Sequence, residues 1–284
     1  LATAVGGNVD RLGSLVAGPV AACVLISSRR SAGAGARRRG RVLIVLAPLL
    51  LYWQANAPVA DFAAAASDPA VNASYYAPLL GELRKLGVGY GARPVRIEAV
   101  PSVDHWEARW IAPHAMLARG WERQLDRLRN GLFYYDPTGL DAAGYRAWLQ
   151  HSAVDYVALP DAPLDYSAHS EAALLRGPRL DYLHEVWRST HWRLFAVLGA
   201  QPLADPPAKL EDVGFDSLSV SVAGAGSYTV RVRFTPYWAL TEGSGCVESG
   251  SEDWTRIRAR RPGRYRLVIS FSPGRIFSRG PRCR

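Results

Sequence analysis

Two uncharged and largely apolar stretches open the chain, at 12–28 and 42–60. A helix that spans a bilayer needs about 17 to 25 such residues, so each stretch predicts a transmembrane helix. Between them, the segment 29–41 carries six arginines: Arg29, Arg30, Arg37, Arg38, Arg39 and Arg41. Because short Arg-rich loops stay in the cytoplasm, we expect a helical hairpin with its inner turn at 29–41. The residues after about 60 are then expected outside the cell membrane, as part of a multi-pass protein.

A second interpretation of the stretch 42–60 stays open. The arginines of 37–41, the apolar run 42–53 and the small residues of Ala55-Asn56-Ala57 have the order of a secretory signal with a cleavage site. Such a signal normally opens a chain, whereas here an apolar stretch precedes it, so the uncleaved helix is favoured. The single methionine is Met116, and we therefore expect this sequence to be the C-terminal piece of a longer protein.

An Ala-rich linker is predicted at 61–71, and beyond it apolar residues recur at both helical and strand spacing. The alternation of the two spacings over 72–204 is typical of a small α/β domain. The predicted helices are 75–86, 142–151 and 170–175, and the predicted strands are 94–100, 154–159, 182–187 and 192–198. The last two strands are expected to pair antiparallel.

Three prolines between Pro202 and Pro207 mark a boundary, after which the helical spacing disappears. Short alternating runs separated by glycine-containing turns follow, at 218–222, 228–234, 254–260 and 265–271. This pattern favours an antiparallel β-sandwich over 208–284. The predicted fold class is therefore α+β: two N-terminal transmembrane helices, a small α/β domain and a C-terminal antiparallel β-sandwich.

The net charge of +9 suggests nucleic acid when it is taken alone. Only Lys85 and Lys209 are lysines, six of the arginines belong to the 29–41 segment, and no basic stripe with interleaved aromatic residues is present. We therefore expect the lipid bilayer as a partner and no nucleic acid.

Two of the three cysteines, Cys246 and Cys283, fall in the part of the chain that is expected outside the cell. An oxidising compartment favours a disulfide between them. Closing a loop of this size stabilises a fold by roughly 4 kcal/mol in the chain-entropy model.

The run from Asp104 to Trp110 holds the densest group of reactive side chains. His105 could carry out acid–base chemistry with Glu107 or Asp104, and Trp106 and Trp110 could stack on a sugar ring, so His105, Trp106, Glu107 and Trp110 are the candidate glycan-binding residues. The competing and favoured interpretation is structural, with alternation along a strand that buries both tryptophans. No zinc-protease, nucleophile-elbow or phosphate-loop motif is present, so we predict no catalytic residue, no metal and no cofactor.

Three groups of residues resemble a known family. They are Gly7-Asn8-Val9-Asp10-Arg11-Leu12, the block from Tyr156 to Tyr166, and Pro236-Tyr237-Trp238 followed by Gly243-Ser244-Gly245-Cys246. Together they resemble the C-terminal region of actinobacterial polytopic integral membrane proteins similar to the GT-C glycosyltransferase superfamily. In that superfamily the catalytic carboxylate lies in an early outer loop that this sequence lacks, so no catalytic residue is carried over.

By this resemblance, the intact protein would transfer a sugar from a polyprenyl-phosphate carrier to a cell-envelope acceptor. The C-terminal part would then help to hold a lipid-linked sugar or an envelope glycan. Two alternatives stay open. The first is a membrane-anchored binding or assembly protein without catalysis, and the second is a transporter.

Overall fold

The computed structural model describes residues 8–30, 34–90, 93–135, 140–271 and 283. Contacts divide the chain into two compact units, Leu1–Val71 and Asn72–Arg284. The α-helices of the described residues are α1 (Asn8–Arg30), α2 (Ala34–Ser67), α3 (Ala73–Lys85), α4 (Trp106–Trp110), α5 (Arg123–Arg129), α6 (Ala142–His151) and α7 (His169–Arg176). The strands are β1 (Arg96–Ala99), β2 (Met116–Leu117), β3 (Val154–Pro160), β4 (Leu183–Arg188), β5 (Trp192–Val197), β6 (Lys209–Val213), β7 (Ser217–Val222), β8 (Gly226–Arg233), β9 (Trp238–Glu242), β10 (Gly245–Ser249), β11 (Trp254–Ala259) and β12 (Gly263–Ile269).

The first unit consists chiefly of α1 and α2, which pack against each other. The two helices approach closely at Gly18, where an added Cβ would come within 2.2 Å of Gln54 Oε1. The predicted linker 61–71 is helical as far as Ser67, because its alanines have the highest helix propensity of all residues, and a 3₁₀ turn at Pro69–Val71 follows it.

The predicted transmembrane hairpin is wrong. Within the ranges given above, no helix combines the length and the apolar character that crossing a membrane requires. The stretches 12–28 and 42–60 lie in α1 and α2 as expected, but polar residues and prolines interrupt their apolar runs. Pro19, Gln54 and Pro58, for example, lie among their aliphatic residues.

The predicted multi-pass location in the cell membrane, with the residues after about 60 outside, is wrong for the same reason. The arginines of 29–41 do not form a loop of their own, because Arg29 and Arg30 end α1 and the other four belong to α2. Residues 31–33 of the predicted inner turn lie outside the described residues.

A five-stranded sheet, in the order β2-β1-β3-β5-β4, supports the first part of the second unit. β1 pairs in parallel with β2 and β3, whereas β5 pairs antiparallel with β3 and β4. Every residue of β1 is buried, as is typical of a parallel strand that is covered on both faces. The sheet packs on a core to which α6 contributes Tyr145, Trp148 and Leu149.

Helix α6 begins where its sequence predicts. The Asp141 side chain caps it by accepting a hydrogen bond from the Gly144 backbone N–H at 2.6 Å, which satisfies one of the N–H groups that the first turn leaves unpaired. The predicted helices 75–86 and 170–175 are confirmed as α3 and α7, and the predicted antiparallel pair is confirmed as β4 and β5.

Two antiparallel sheets form the C-terminal part, in the orders β10-β11-β8 and β6-β7-β12-β9. Both contribute to one core, with Val230 and Ile257 from the first sheet and Val220 and Leu267 from the second. This arrangement is compatible with the predicted β-sandwich. A disulfide joins Cys246 of β10 to Cys283, with their Cα atoms 5.1 Å apart.

Candidate ligand-binding site at the carboxyl edge of the parallel strands

The carboxyl ends of β1, β2 and β3 lie at the same edge of the five-stranded sheet, because these three strands are parallel. Ligands of α/β proteins commonly bind at this edge. The segments that leave it are 100–107 after β1, 118–123 after β2 and 161–168 after β3. Polar side chains from all three segments meet there, and we call Ser102, His105, Glu107, Arg123, Asp165 and Tyr166 the edge site.

A row of interacting side chains crosses the edge site. His105 Nδ1 lies 2.9 Å from Glu107 Oε1, and His105 Nε2 lies 3.9 Å from Asp165 Oδ2. Arg123 donates a hydrogen bond to that same Asp165 oxygen at 2.7 Å. The imidazole therefore lies between two carboxylates that come from different strands' loops.

His105 holds a backbone conformation that few residues adopt. Its φ of 56° and ψ of 40° are left-handed, and for a residue other than glycine this conformation costs about 1–2 kcal/mol. Hydrogen bonds around the turn hold it in place: Glu107 Oε2 accepts from the Ser102 N–H at 3.1 Å and from the Ser102 hydroxyl at 2.7 Å. Glu107 is thereby occupied on both oxygens, and its structural effect is to fix the imidazole.

Asp165 is prepared as an acceptor. Burial raises the pKa of this carboxyl, but the hydrogen bonds from Ser167 and from the Arg123 guanidinium outweigh burial and leave the pKa below its usual value. The Ser167 N–H donates to Asp165 Oδ1 at 2.9 Å. Asp165 therefore stays ionised at neutral pH, with its carboxylate in a fixed orientation.

Tyr166 supplies the aromatic surface of the edge site. Its side chain is 56% exposed, and the Arg123 guanidinium lies 4.6 Å from its ring centroid. Tyr134 packs edge-on against the same ring at 5.8 Å. An exposed ring therefore stands beside Arg123 and Asp165, the two charged groups of the row.

A second group of charges lies beneath the edge site, in the interior. This core charge cluster consists of Glu98 on β1, Arg119 just after β2, Asp126 on α5 and Glu171 on α7, all buried. Arg119 contacts the three carboxylates at 3.0 Å for Asp126, 3.4 Å for Glu171 and 3.9 Å for Glu98. One cation therefore faces three acidic side chains away from water.

Burial and mutual repulsion perturb this cluster. Burial, with repulsion from Glu171, raises the pKa of Glu98 well above its usual value, and neither Glu98 oxygen has a hydrogen-bond partner among the described residues. Burial also raises the pKa of Glu171 to about 7 although Arg119 and the Tyr145 hydroxyl oppose it. For Arg119, the three carboxylates outweigh burial and raise the pKa.

The structure separates the four predicted glycan-binding residues into two places. His105 and Glu107 come together in the edge site. Trp106, Glu107 and Trp110 all lie on α4, so the predicted strand alternation through the tryptophans is wrong. Trp110 lines a different cleft of about 580 Å³ with Tyr90. The indole N–H of Trp106 is buried and has no partner among the described residues.

Sequence reasoning missed Arg123 and did not assign Asp165 or Tyr166 to any site, although the last two end the block that carries the family resemblance. Their common signal is position, since each follows shortly after a parallel strand.

Among the described residues, no three His, Cys, Asp or Glu side chains converge as metal ligands would. In comparisons with known proteins, no family model, curated protein or solved structure matches this chain.

Proposed function

We propose that this chain binds a carbohydrate at the edge site. The observation that carries the proposal is the exposed Tyr166 ring beside the fixed Arg123–Asp165 pair. A sugar ring offers an apolar C–H face and adjacent hydroxyl groups that each donate and accept hydrogen bonds. An aromatic ring packs against the C–H face. A guanidinium next to a carboxylate donates to and accepts from the hydroxyl groups.

The polar groups of the edge site fit hydroxyl recognition. Asp165 accepts, Arg123 donates, and His105 Nε2 is the ring nitrogen that Glu107 does not engage. Because Ser167 and Glu107 already hold Asp165 and His105 in place, these two side chains lose little conformational freedom on binding. A site of this kind discriminates by the positions of hydroxyl groups rather than by charge.

Binding is better supported than catalysis. Hydrolysis of a glycosidic bond uses two carboxyl groups that flank the bond, at about 5 to 9.5 Å from each other. Glu98 and Glu171 are 0% exposed and cannot touch a substrate, and both oxygens of Glu107 are engaged.

The experiment measures binding of the full chain to an array of neutral manno-, galacto-, arabino- and chito-oligosaccharides. We expect binding that Tyr166→Ala and Arg123→Gln each reduce at least tenfold, with Phe215→Ala and Arg146→Gln as matched controls. Phe215 is an exposed aromatic residue in the C-terminal part, and Arg146 is an exposed arginine paired with Asp181.

Equal losses in the variants and in their controls would contradict the proposal. So would binding that Trp110→Ala abolishes and Tyr166→Ala leaves intact, because the ligand would then occupy the cleft of Trp110 and Tyr90. Absence of binding to every oligosaccharide of the array would also contradict it.

Acid–base catalysis by His105 is the second candidate function. The observation that favours it is the 2.9 Å contact of Nδ1 with Glu107, which leaves Nε2 directed to Asp165. A histidine held in this way can exchange a proton with a substrate. Turnover of a bound oligosaccharide that His105→Asn abolishes while binding persists would establish it, and absence of turnover in the wild-type chain would exclude it.

A further inference from the structure

A cleft whose lining includes none of the six edge-site residues holds two arginines that are weakly paired with acidic side chains. It has a volume of about 420 Å³, and its lining includes Trp121, Glu122, Arg129, Asn130 and Arg233, together with Arg119 of the core charge cluster. Arg129 comes from the end of α5 and Arg233 from the end of β8, so the helical part and the β-rich part of the second unit both contribute. We call it the arginine cleft.

Arg129 is poorly compensated. Its Nε atom is buried without a hydrogen-bond partner among the described residues. Its contact with a carboxylate is at 4.0 Å, to Asp253, whose side chain is 61% exposed. An ion pair this long and this exposed contributes about 0–1 kcal/mol, so Asp253 compensates the charge of Arg129 only weakly.

Arg233 lies in a similar environment. Its guanidinium is 3.7 Å from the Trp254 ring centroid and donates a hydrogen bond to the Glu252 carbonyl oxygen. Burial, together with repulsion from Arg129, lowers the pKa of Arg233 to about 10 in spite of attraction by the Glu252 and Asp253 carboxylates. The guanidinium groups of Arg129 and Arg233, which both line the arginine cleft, therefore repel each other.

Other charges at the cleft do not remove this excess. Asp126 lines it but is occupied by Arg119, Asn130 and Tyr134, at distances from 2.5 to 3.2 Å. Glu122 also lines it and is exposed to solvent. The Arg129–Arg233 pair is thus left with the exposed carboxylates of Glu122, Glu252 and Asp253, of which Glu252 is itself paired with His151 at 2.7 Å.

We propose that the arginine cleft binds the phosphate group of a phosphorylated ligand. Arginine forks match phosphate oxygens in pairs, and a dianion placed between Arg129 and Arg233 would relieve their repulsion. The cavity is larger than a phosphate ion, and Trp121, 63% exposed at its wall, offers a ring on which the organic part of the ligand stacks. This proposal does not rest on carbohydrate binding at the edge site.

The test is calorimetric titration of the full chain with pyrophosphate and with glucose 1-phosphate at low ionic strength. We expect both to bind, and Arg129→Gln to weaken binding about 10- to 100-fold, as the loss of a charge-assisted hydrogen bond predicts. Arg233→Lys keeps the charge but removes the planar fork, so it should weaken binding less than the loss of a charge does. Added salt should weaken binding in the wild-type chain more than in Arg129→Gln.

Arg127→Gln is the matched control, since Arg127 lies on the same helix, is exposed, and packs on Tyr135 outside the cleft. It should change affinity by less than twofold, as should Tyr166→Ala, which separates this site from the edge site. Equal loss in Arg127→Gln and Arg129→Gln would overturn the proposal. No binding of either phosphate by the wild-type chain, or tighter binding of glucuronate than of glucose 1-phosphate, would overturn it as well.

Discussion

Replacing Arg119 by methionine tests whether the core charge cluster is held together by its single cation. Methionine keeps most of the length of the arginine side chain, and it removes the contacts at 3.0, 3.4 and 3.9 Å with the three carboxylates together with the 2.8 Å hydrogen bond to Ser167 Oγ. Removing one member of a buried ion pair costs about 3–5 kcal/mol. We expect a loss of that size in the free energy of unfolding at pH 8.

The loss should shrink in acid. Glu171 has a folded-state pKa of about 7 against an ordinary value of 4.5, so the folded protein holds this proton more tightly than the unfolded chain does. The contribution of Glu171 to the free energy of unfolding is therefore greatest below pH 4.5, the ordinary pKa of a glutamate, and is lost as the pH rises through about 7. At about 1.4 kcal/mol per pKa unit, the loss is roughly 3 kcal/mol. Without Arg119 the pKa values of Glu171 and Glu98 rise further, and the fall with pH becomes steeper.

Urea unfolding followed by tryptophan fluorescence at pH 5 and pH 8 measures both effects. Arg146→Met is the control, because Arg146 is exposed and its pair with Asp181 is 3.5 Å long; it should cost less than about 1 kcal/mol at either pH. A loss below 1 kcal/mol for Arg119→Met at pH 8, or the same loss at both pH values, would refute this account of the cluster.

Three further predictions concern other parts of the second unit. Glu98→Gln should raise the free energy of unfolding at pH 8 and flatten its pH dependence, because an amide carries no charge to bury; urea unfolding across pH 5–8 checks this, and an unchanged slope would contradict it. His105→Val should be less stable than His105→Asn by about 1–2 kcal/mol, since asparagine tolerates a left-handed backbone and a β-branched residue does not; equal melting temperatures would count against strain at this turn. Cys246→Ser, which breaks the disulfide to Cys283, should cost up to about 4 kcal/mol relative to the oxidised wild-type chain, measured by urea unfolding. The reduced wild-type chain is the control for the serine itself, and equal stability of Cys246→Ser and the oxidised chain would contradict the prediction.

Elements with a local signal were predictable from sequence. α6 has a capping residue at Asp141 and buried residues at helical spacing, and β3 is a long run that ends in Pro160. β2 left no pattern because it is two residues long. The run from Asp104 to Trp110 alternates like a strand yet forms α4, because tertiary contacts such as Glu107 to Ser102 override a short periodicity.

The membrane prediction is overturned by the finding that no helix of the described residues has both the length and the apolar character to cross a membrane. The edge site was predictable only in part. His105 and Glu107 are near neighbours in sequence, whereas Arg123 and Asp165 are 42 residues apart and meet through the parallel pairing of three strands. A buried arginine such as Arg119 is also invisible to pattern reasoning, since arginine is almost always exposed unless it is paired.

The core charge cluster and the edge site are physically continuous, and this explains why buried charge lies beneath a surface site. Arg119 donates to Ser167 Oγ at 2.8 Å, and the backbone N–H of Ser167 donates to Asp165 Oδ1 at 2.9 Å. Asp165 is therefore oriented from below before a ligand arrives. Ordering a mobile side chain at an interface costs about 0.5–1.5 kcal/mol. Asp165 is already ordered in the folded protein, so binding does not include that cost. Since Arg119 is itself held by carboxylates from β1, α5 and α7, its loss should weaken ligand binding even under conditions in which the chain stays folded.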